Sequence, residues 1–292
     1  MSILDRAAKP VREPFLGTIV GVQGTGKTSL ACTFPSVIML RTQGEKPPQD
    51  IPDNQTPYTL EIESAQDLWD ALKALLREDH AFKSLVFDTA TGLDILFTQD
   101  VLAADPNSRG LNQSHGGYGN GASMVSAMHM RTRRAAEMLR KQKGMNIIFL
   151  AHAEIVDVSP PDSDPYSTYS LRLPKKSMAP YLDSVDCVGF LKQTRAVKGA
   201  VEAKGDRGAK PGRAISSGDR VLVTYLTPAM ASKNRYGITE DLDVEKGVNP
   251  LAFVLEDAPK PAKAKKAAPA PEPEDNDDDA AEAALDAIEG AN

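Results

Sequence analysis

The sequence predicts an α/β fold with a mainly parallel central sheet, helices on both faces, an antiparallel extension and a disordered acidic C-terminal tail. Three observations predict it. Up to Ala151, short continuous apolar runs alternate with helical patterns, as strands buried on both faces require. A glycine-rich run, GVQGTGKT from Gly21 to Thr28, joins the first of these strands to the first helix. After His152 the apolar runs continue without long helices between them, so part of the sheet there is expected to be antiparallel.

In chain order, Phe15 to Val20 reads as a strand and Lys27 to Phe34 as the helix it feeds. Ser36 to Leu40 is a second strand. Ser64 with Asp67 three residues on forms a capping box, opening a helix whose Leu68, Leu72, Leu75 and Leu76 share one face. Ser84 to Asp88 is a third strand, Ala122 to Lys143 a long helix, and Asn146 to Ala151 a fourth strand. Val156 to Val158, Tyr169 to Leu173, Cys187 to Leu191 and Val221 to Leu226 read as further strands. Residues 1–257 form one enlarged domain. From Ala258 the chain turns to PKPAKAKKAAPAPEPEDNDDD, rich in Pro, Ala and like-charge blocks that bury too little apolar surface to order, so 258–292 reads as a linker and tail.

Composition narrows the function classes. No apolar run approaches a membrane span, and the opening MSILDRAAKPVREP lacks the basic-then-apolar layout of a secretory signal, so a cytoplasmic protein is expected. Two cysteines, Cys32 and Cys187, and 4 histidines offer neither a disulfide framework nor a zinc-ligand spacing. The net charge of −6 is misleading as a whole, because Glu272 to Asn292 carries a block of acids and no Lys or Arg, leaving a mildly basic body. The acidic balance therefore does not argue against nucleic acid. The tail reads either as a solubilising segment, as a competitor for DNA on basic surfaces, or as a docking helix for a partner such as a single-strand-binding protein.

The chemistry concentrates at the glycine-rich run, which fits GxxxxGK[ST]. Glycines let a loop wrap phosphates, backbone N–H groups and a helix N-terminus supply positive potential, and a Lys and a hydroxyl complete the site. Gly21, Gly24 and Gly26 shape the loop, with Val22, Gln23, Thr25 and Ser29 alongside; Lys27 is expected to reach the β- and γ-phosphates of ATP and Thr28 to ligate Mg²⁺. Asp88 ends the apolar strand SLVFD, where a Walker B carboxylate holds magnesium opposite Thr28. Read alone, it is a turn former; the glycine-rich run about sixty residues upstream turns the reading to the magnesium role. His152 ends NIIFLAH, at the edge where α/β sheets place ligand-sensing groups, and reads as a γ-phosphate or DNA sensor or as a structural strand-end histidine.

Together with Lys233-Asn234-Arg235-Tyr236-Gly237, these residues resemble the RecA-like recombination ATPases, particularly the phage-encoded RecA-like single-strand annealing proteins; KNRYG is similar to the KNRFG motif of bacterial RadA proteins. The resemblance spans about residues 15 to 240. It implies a RecA-like P-loop NTPase core that assembles as a ring or filament on single-stranded DNA with ATP between subunits, Lys233 and Arg235 contacting a neighbour's γ-phosphate. Related proteins place a catalytic Glu just after the second strand. Here the stretch reads Met39-Leu40-Arg41-Thr42-Gln43-Gly44-Glu45, so Gln43 holds the expected position, Glu45 substitutes if the loop is shifted, or both merely decorate a loop.

Candidate DNA contacts lie in the basic segment Lys192 to Arg220, with Lys192, Arg195, Lys198, Lys204, Arg207, Lys210 and Arg213 interleaved with glycines. Tyr118, in the run GGYGNG, either stacks on bases or anchors its loop by packing. Arg131, Arg133, Arg134, Arg140, Lys141 and Lys143 form a second basic stripe whose members do not all share one helix face. The rival classes are a nucleotide-gated DNA-loading module with little hydrolysis and a helicase-like or packaging motor.

Overall fold

The structure, a computed structural model, describes residues 11–46, 48–198 and 213–255, and for 195–198 and 213–217 the backbone alone. The strands are β1 (Leu16–Gly21), β2 (Val37–Thr42), β3 (Tyr58–Ile62), β4 (Ser84–Asp88), β5 (Asn146–Val158), β6 (Tyr166–Leu171), β7 (Cys187–Lys198), β8 (Arg213–Val223) and four two-residue strands: β9 (Leu226–Thr227), β10 (Met230–Ala231), β11 (Lys233–Asn234) and β12 (Leu242–Asp243). The helices are α1 (Lys27–Ala31), α2 (Ala65–Arg77), α3 (Ala90–Ala103), α4 (Asn120–Lys143), α5 (Lys175–Leu182) and α6 (Ala252–Leu255). The sheet order is β12-β8-β7-β1-β5-β4-β2-β3, parallel from β7 through β3, with β8 and β12 added antiparallel at one end. This is the fold class expected, a mainly parallel sheet with helices on both faces and an antiparallel extension.

Alternation along the central strands builds two cores. Leu16 and Val20 of β1, Leu85 and Phe87 of β4, and Ile147, Phe149 and Ala151 of β5 pack with α2 to α5 on one face. Ile19, Met39, Val86, Ile148 and Leu150 pack with α1 and α6 on the other. A strand buried on both faces carries no polar half, which is why these segments read as continuous apolar runs.

Several boundaries differ from the sequence expectation. The first helix ends at Ala31 rather than Phe34, because Thr33 N donates to Leu30 O and Phe34 N to Ala31 O, tightening the last turn before Pro35. β5 runs without a break to Val158, since its outer half pairs antiparallel with β6; the strand expected at Val156 to Val158 is its continuation. β6 lies earlier than Tyr169 to Leu173, and β8 stops at Val223 instead of Leu226. The capping box forms as expected, with Asp67 N donating to Ser64 Oγ and Ser64 N to the Asp67 carboxylate. The basic stripe on α4 dissolves: Arg133 is buried against Glu137 and Ser184 O, Arg140 against Asp186 and Pro14 O, and Arg131 lies over Trp69.

One buried network fixes α3, α4 and α5 to each other. His129 Nε2 lies 3.0 Å from Asp94 Oδ1 and Nδ1 2.6 Å from the Tyr181 hydroxyl, while Thr18 Oγ1 donates to Tyr181 O. A proton on Nε2, with Nδ1 accepting from the tyrosine, satisfies both contacts. Tyr181 is wholly buried, and burial drives its hydroxyl pKa far upward. Removing the hydroxyl in Tyr181→Phe strands a buried nitrogen and is expected to cost about 1–3 kcal/mol, lowering the thermal midpoint by several degrees in a melting experiment.

Candidate nucleotide-binding site

The glycine-rich loop leaves the carboxyl end of β1, between β5 and β7. Gly24 and Gly26 adopt φ of 78° and 91°, a left-handed backbone that a side chain resists. Gly21 is needed for space: a Cβ there would lie 2.7 Å from Leu191 O and 2.8 Å from Thr25 Oγ1. The loop is thus pinned between strand and helix, with its amide groups at the start of α1.

Lys27 is buried, and its ammonium has three acceptors: Gly21 O at 3.0 Å, Val22 O at 3.1 Å and His152 Nδ1 at 3.3 Å. An ammonium only donates, so Nδ1 accepts and the His152 proton resides on Nε2. That nitrogen faces Glu45 Oε1 at 3.1 Å. Lys27, His152 and Glu45 therefore form one chain of hydrogen bonds, and His152 is further fixed by Thr91 Oγ1, which accepts its backbone N–H. The hydrogen bond from His152 is the main cause holding the Glu45 carboxyl below its ordinary pKa, so Glu45 carries its charge. Burial lowers the pKa of Lys27, against the pull of Glu45 and Asp88.

The turn after β2 sets the two candidates there in different surroundings. Gly44 takes φ 92° and Glu45 N bonds back to Thr42 O, a turn that needs glycine at its third position. It carries Glu45 into the site and leaves Gln43 exposed. A strict residue count from the strand points to Gln43, with Glu45 as the shifted-loop alternative; the glycine was the available signal.

Asp88 ends β4, one strand further from the loop than β5. Thr28 Oγ1 donates to its Oδ2 at 3.1 Å, and the other oxygen, Oδ1, is buried with no partner. Burial, then the nearby Glu45 charge, pushes the Asp88 pKa up to about 6. A buried carboxylate with an orphan oxygen, next to a hydroxyl at the helix start, fits a divalent cation. Two residues that sequence reasoning did not single out join the group. Thr91 holds the backbone of His152, and the charge of Arg172, whose N–H donates to His152 O, is felt by both Lys27 and Glu45.

The structure separates the other candidates from this site. Asn234 and Lys233 pair with Cys187 and Val188 in β7, and Arg235 N donates to Asp186 O, beside Leu16 at the start of β1. The loop lies at the other end of that strand, roughly 17 Å away at the rise of an extended chain. Lys233 donates to Asp183 O, Arg235 pairs with Asp186 at 3.3 Å with its side chain 67% exposed, and Tyr236 stacks on Phe15. Asn234 ties the turn together through Thr224 O and Ile238 O.

Lys192 is paired with Asp241 at 3.6 Å. Arg195, Lys198 and Arg213 occupy the paired strands β7 and β8, their side chains outside the described atoms; Lys204, Arg207 and Lys210, like the whole tail from Ala258, lie outside the described residues. Tyr118 does not anchor its loop: it is fully exposed, and with His115, Gly116, Gly117 and Gly119 it forms five successive residues of positive φ. A side chain on Gly119 would meet Lys176 Nζ at 3.6 Å, which places this loop beside the start of α5, at the same sheet edge as the glycine-rich loop. Among the described residues no helix is long and apolar enough to cross a membrane.

No curated protein matches the chain. A family model described as AAA domain matches residues 14–236, from just before β1 to the tyrosine of KNRYG, and so takes in the loop, Asp88, His152 and most of the sheet. The chain belongs to this AAA domain family (AAA_24), a family of P-loop NTPases.

Proposed function

We propose that the protein is a phage-encoded, RecA-like ATPase that hydrolyses ATP with Mg²⁺ and acts as a homo-oligomer on single-stranded DNA, in the annealing or strand-exchange steps of homologous recombination. In this reading Lys27 and the loop amides hold the phosphates, and Thr28 and Asp88 hold the metal, which when bound supplies charge neutralisation at the transferring phosphate. Glu45 accepts the proton of the attacking water, and His152 keeps its carboxylate oriented and links it to Lys27. Glu45 inside the site favours turnover over the nucleotide-gated loading module. The KNRYG residues, at the far edge of the sheet from their own loop, suit contact with a neighbouring subunit's nucleotide.

The observation that carries the nucleic-acid part is Tyr118. A fully exposed aromatic held at φ 54° in a loop of left-handed residues contributes nothing to packing. Its loop lies beside Lys176, a stacking surface next to a cation of the kind that binds single strands without sequence preference. Replacing it by Gly relieves the backbone, so Tyr118→Gly is expected to raise stability by about 1 kcal/mol while weakening single-stranded DNA binding about fivefold or more. Fluorescence anisotropy with an oligothymidine, and ATPase rates with and without it, make the test. Unchanged DNA affinity in the variant, or no stimulation of the wild type, would sink the DNA reading.

A further inference from the structure

One side chain reaches the nucleotide loop from β8, two strands away from β1. Arg220 stands in β8 opposite Gln193 of β7, and its carbonyl accepts from Val244 N at 2.9 Å, which fixes the strand beside β12. Its guanidinium lies on Gly26: a Cβ built there would come 2.2 Å from Arg220 Nη1 and 3.4 Å from Cζ. Gly26 thus serves the loop's conformation and also leaves the bare surface that an arginine needs.

Among the described residues this guanidinium has no hydrogen bond or ion pair. The place is a costly one for an unpaired cation. The loop amides, the start of α1 and Lys27 all present positive potential, so Arg220 gains nothing there until an anion arrives. The acids of the site do not serve it, for the arginine charge felt by Lys27 and Glu45 is that of Arg172. Arg220 therefore belongs to the opposite flank of the loop from Asp88, Glu45 and His152.

That flank opens into a cleft of about 340 Å³, lined by Ser29 of α1, by Thr33 just after it, by Arg220, and by the segments 48–52 and 244–247. The second segment is tied across the cleft by Lys246 paired with Asp50 of the first at 2.6 Å and by Gln55 Nε2, just beyond the first, donating to Gly247 O at 2.7 Å. Ser29 follows Thr28 directly, so a nucleotide with its terminal phosphate between Lys27 and Asp88 passes its inner phosphates by Ser29 and Arg220 on the way to this cleft.

We propose that Arg220 is a nucleotide-binding residue whose guanidinium pairs with the inner phosphates, at the mouth of a cleft that takes the nucleoside. The proposal rests on the phosphate-loop reading of Gly21 to Thr28. It is tested by titrating the full chain with ADP and with ATP in a calorimeter, comparing wild type, Arg220→Met, Arg220→Lys and Lys27→Ala. Methionine keeps much of the apolar stem and removes the charge. The expected result is that Arg220→Met weakens ADP and ATP alike by about tenfold or more, that Arg220→Lys recovers part of the loss, and that neither lowers the melting midpoint without nucleotide.

Unchanged affinity in Arg220→Met overturns the assignment. So does a loss confined to ATP, which would put the guanidinium at the terminal phosphate. A loss shared in full by Arg220→Lys and accompanied by a lowered midpoint without nucleotide would mark a packing role and overturn it too. Wild-type affinity in Lys27→Ala would instead remove the loop reading itself, a separate outcome from any change at Arg220.

Discussion

Glu45→Gln is expected to lower ATP turnover by about 10²–10³ while leaving ATP affinity within a few-fold, whereas Gln43→Ala changes neither by more than about twofold. The glutamine variant keeps the shape of the side chain and an oxygen for the His152 Nε2 proton, 3.1 Å away in the wild type. It lacks the basicity needed to take a proton from water. A selective loss of turnover would therefore isolate proton acceptance from binding. Because His152 holds Glu45 in its charged form, His152→Ala is expected to lose turnover as well, by less than Glu45→Gln. Steady-state phosphate release at saturating ATP measures all three, and the reverse ranking of Gln43 and Glu45 would return the role to Gln43.

The second large effect concerns Asp88. Asp88→Ala removes the acceptor of the Thr28 hydroxyl and the orphan oxygen, and is expected to abolish the gain in nucleotide affinity on adding Mg²⁺, a loss of tenfold or more on the scale of a charge-assisted contact. Affinity in chelator is expected to change little. Equal magnesium dependence in variant and wild type would exclude Asp88 from the metal site.

The same carboxyl gives the metal-free protein a pH signature. Its pKa is raised from 3.8 to about 6, so the fold holds this proton more tightly than the unfolded chain does. Its contribution is then most favourable below pH 3.8 and is lost as pH rises through about 6, a loss of up to about 3 kcal/mol. In chelator, Asp88→Asn is expected to lack that slope between pH 4 and 6.5, read by thermal melts across the range.

How much of this was legible in the sequence follows from how locally each feature is determined. The loop, Asp88 and His152 were legible because strand, glycine turn and helix start are contiguous, and because a buried parallel strand announces its polar terminal residue. The capping box of α2 was legible for the same reason. α3 was not assigned: ATGLDILFTQDVLA has apolar residues on more than one side of the helix and no clear stripe, and its start is set by Thr89 capping Gly92 N. α5 was not assigned either, since Pro180 interrupts a short polar pattern. The short edge strand β3 has four exposed residues of its five and no continuous apolar signal.

At the site, the roles that depend on a single turn or on a distant pairing were the ones a linear reading left open. Glu45 and Gln43 are two residues apart, and only the left-handed Gly44 decides which one faces His152. Arg220 reaches Gly26 across 194 positions of sequence, through a strand pairing that no motif encodes. KNRYG showed the converse: its spacing was visible, but its position at the opposite end of β1 from the loop was not.

The central claim is a phosphate loop that binds ATP and turns it over, and its most direct test is ATP hydrolysis by the full chain in Mg²⁺, with Lys27→Ala measured beside it. A wild-type rate well above that of the variant, together with nucleotide binding in the wild type alone, is the predicted result. Equal rates and equal binding in the two proteins would contradict it.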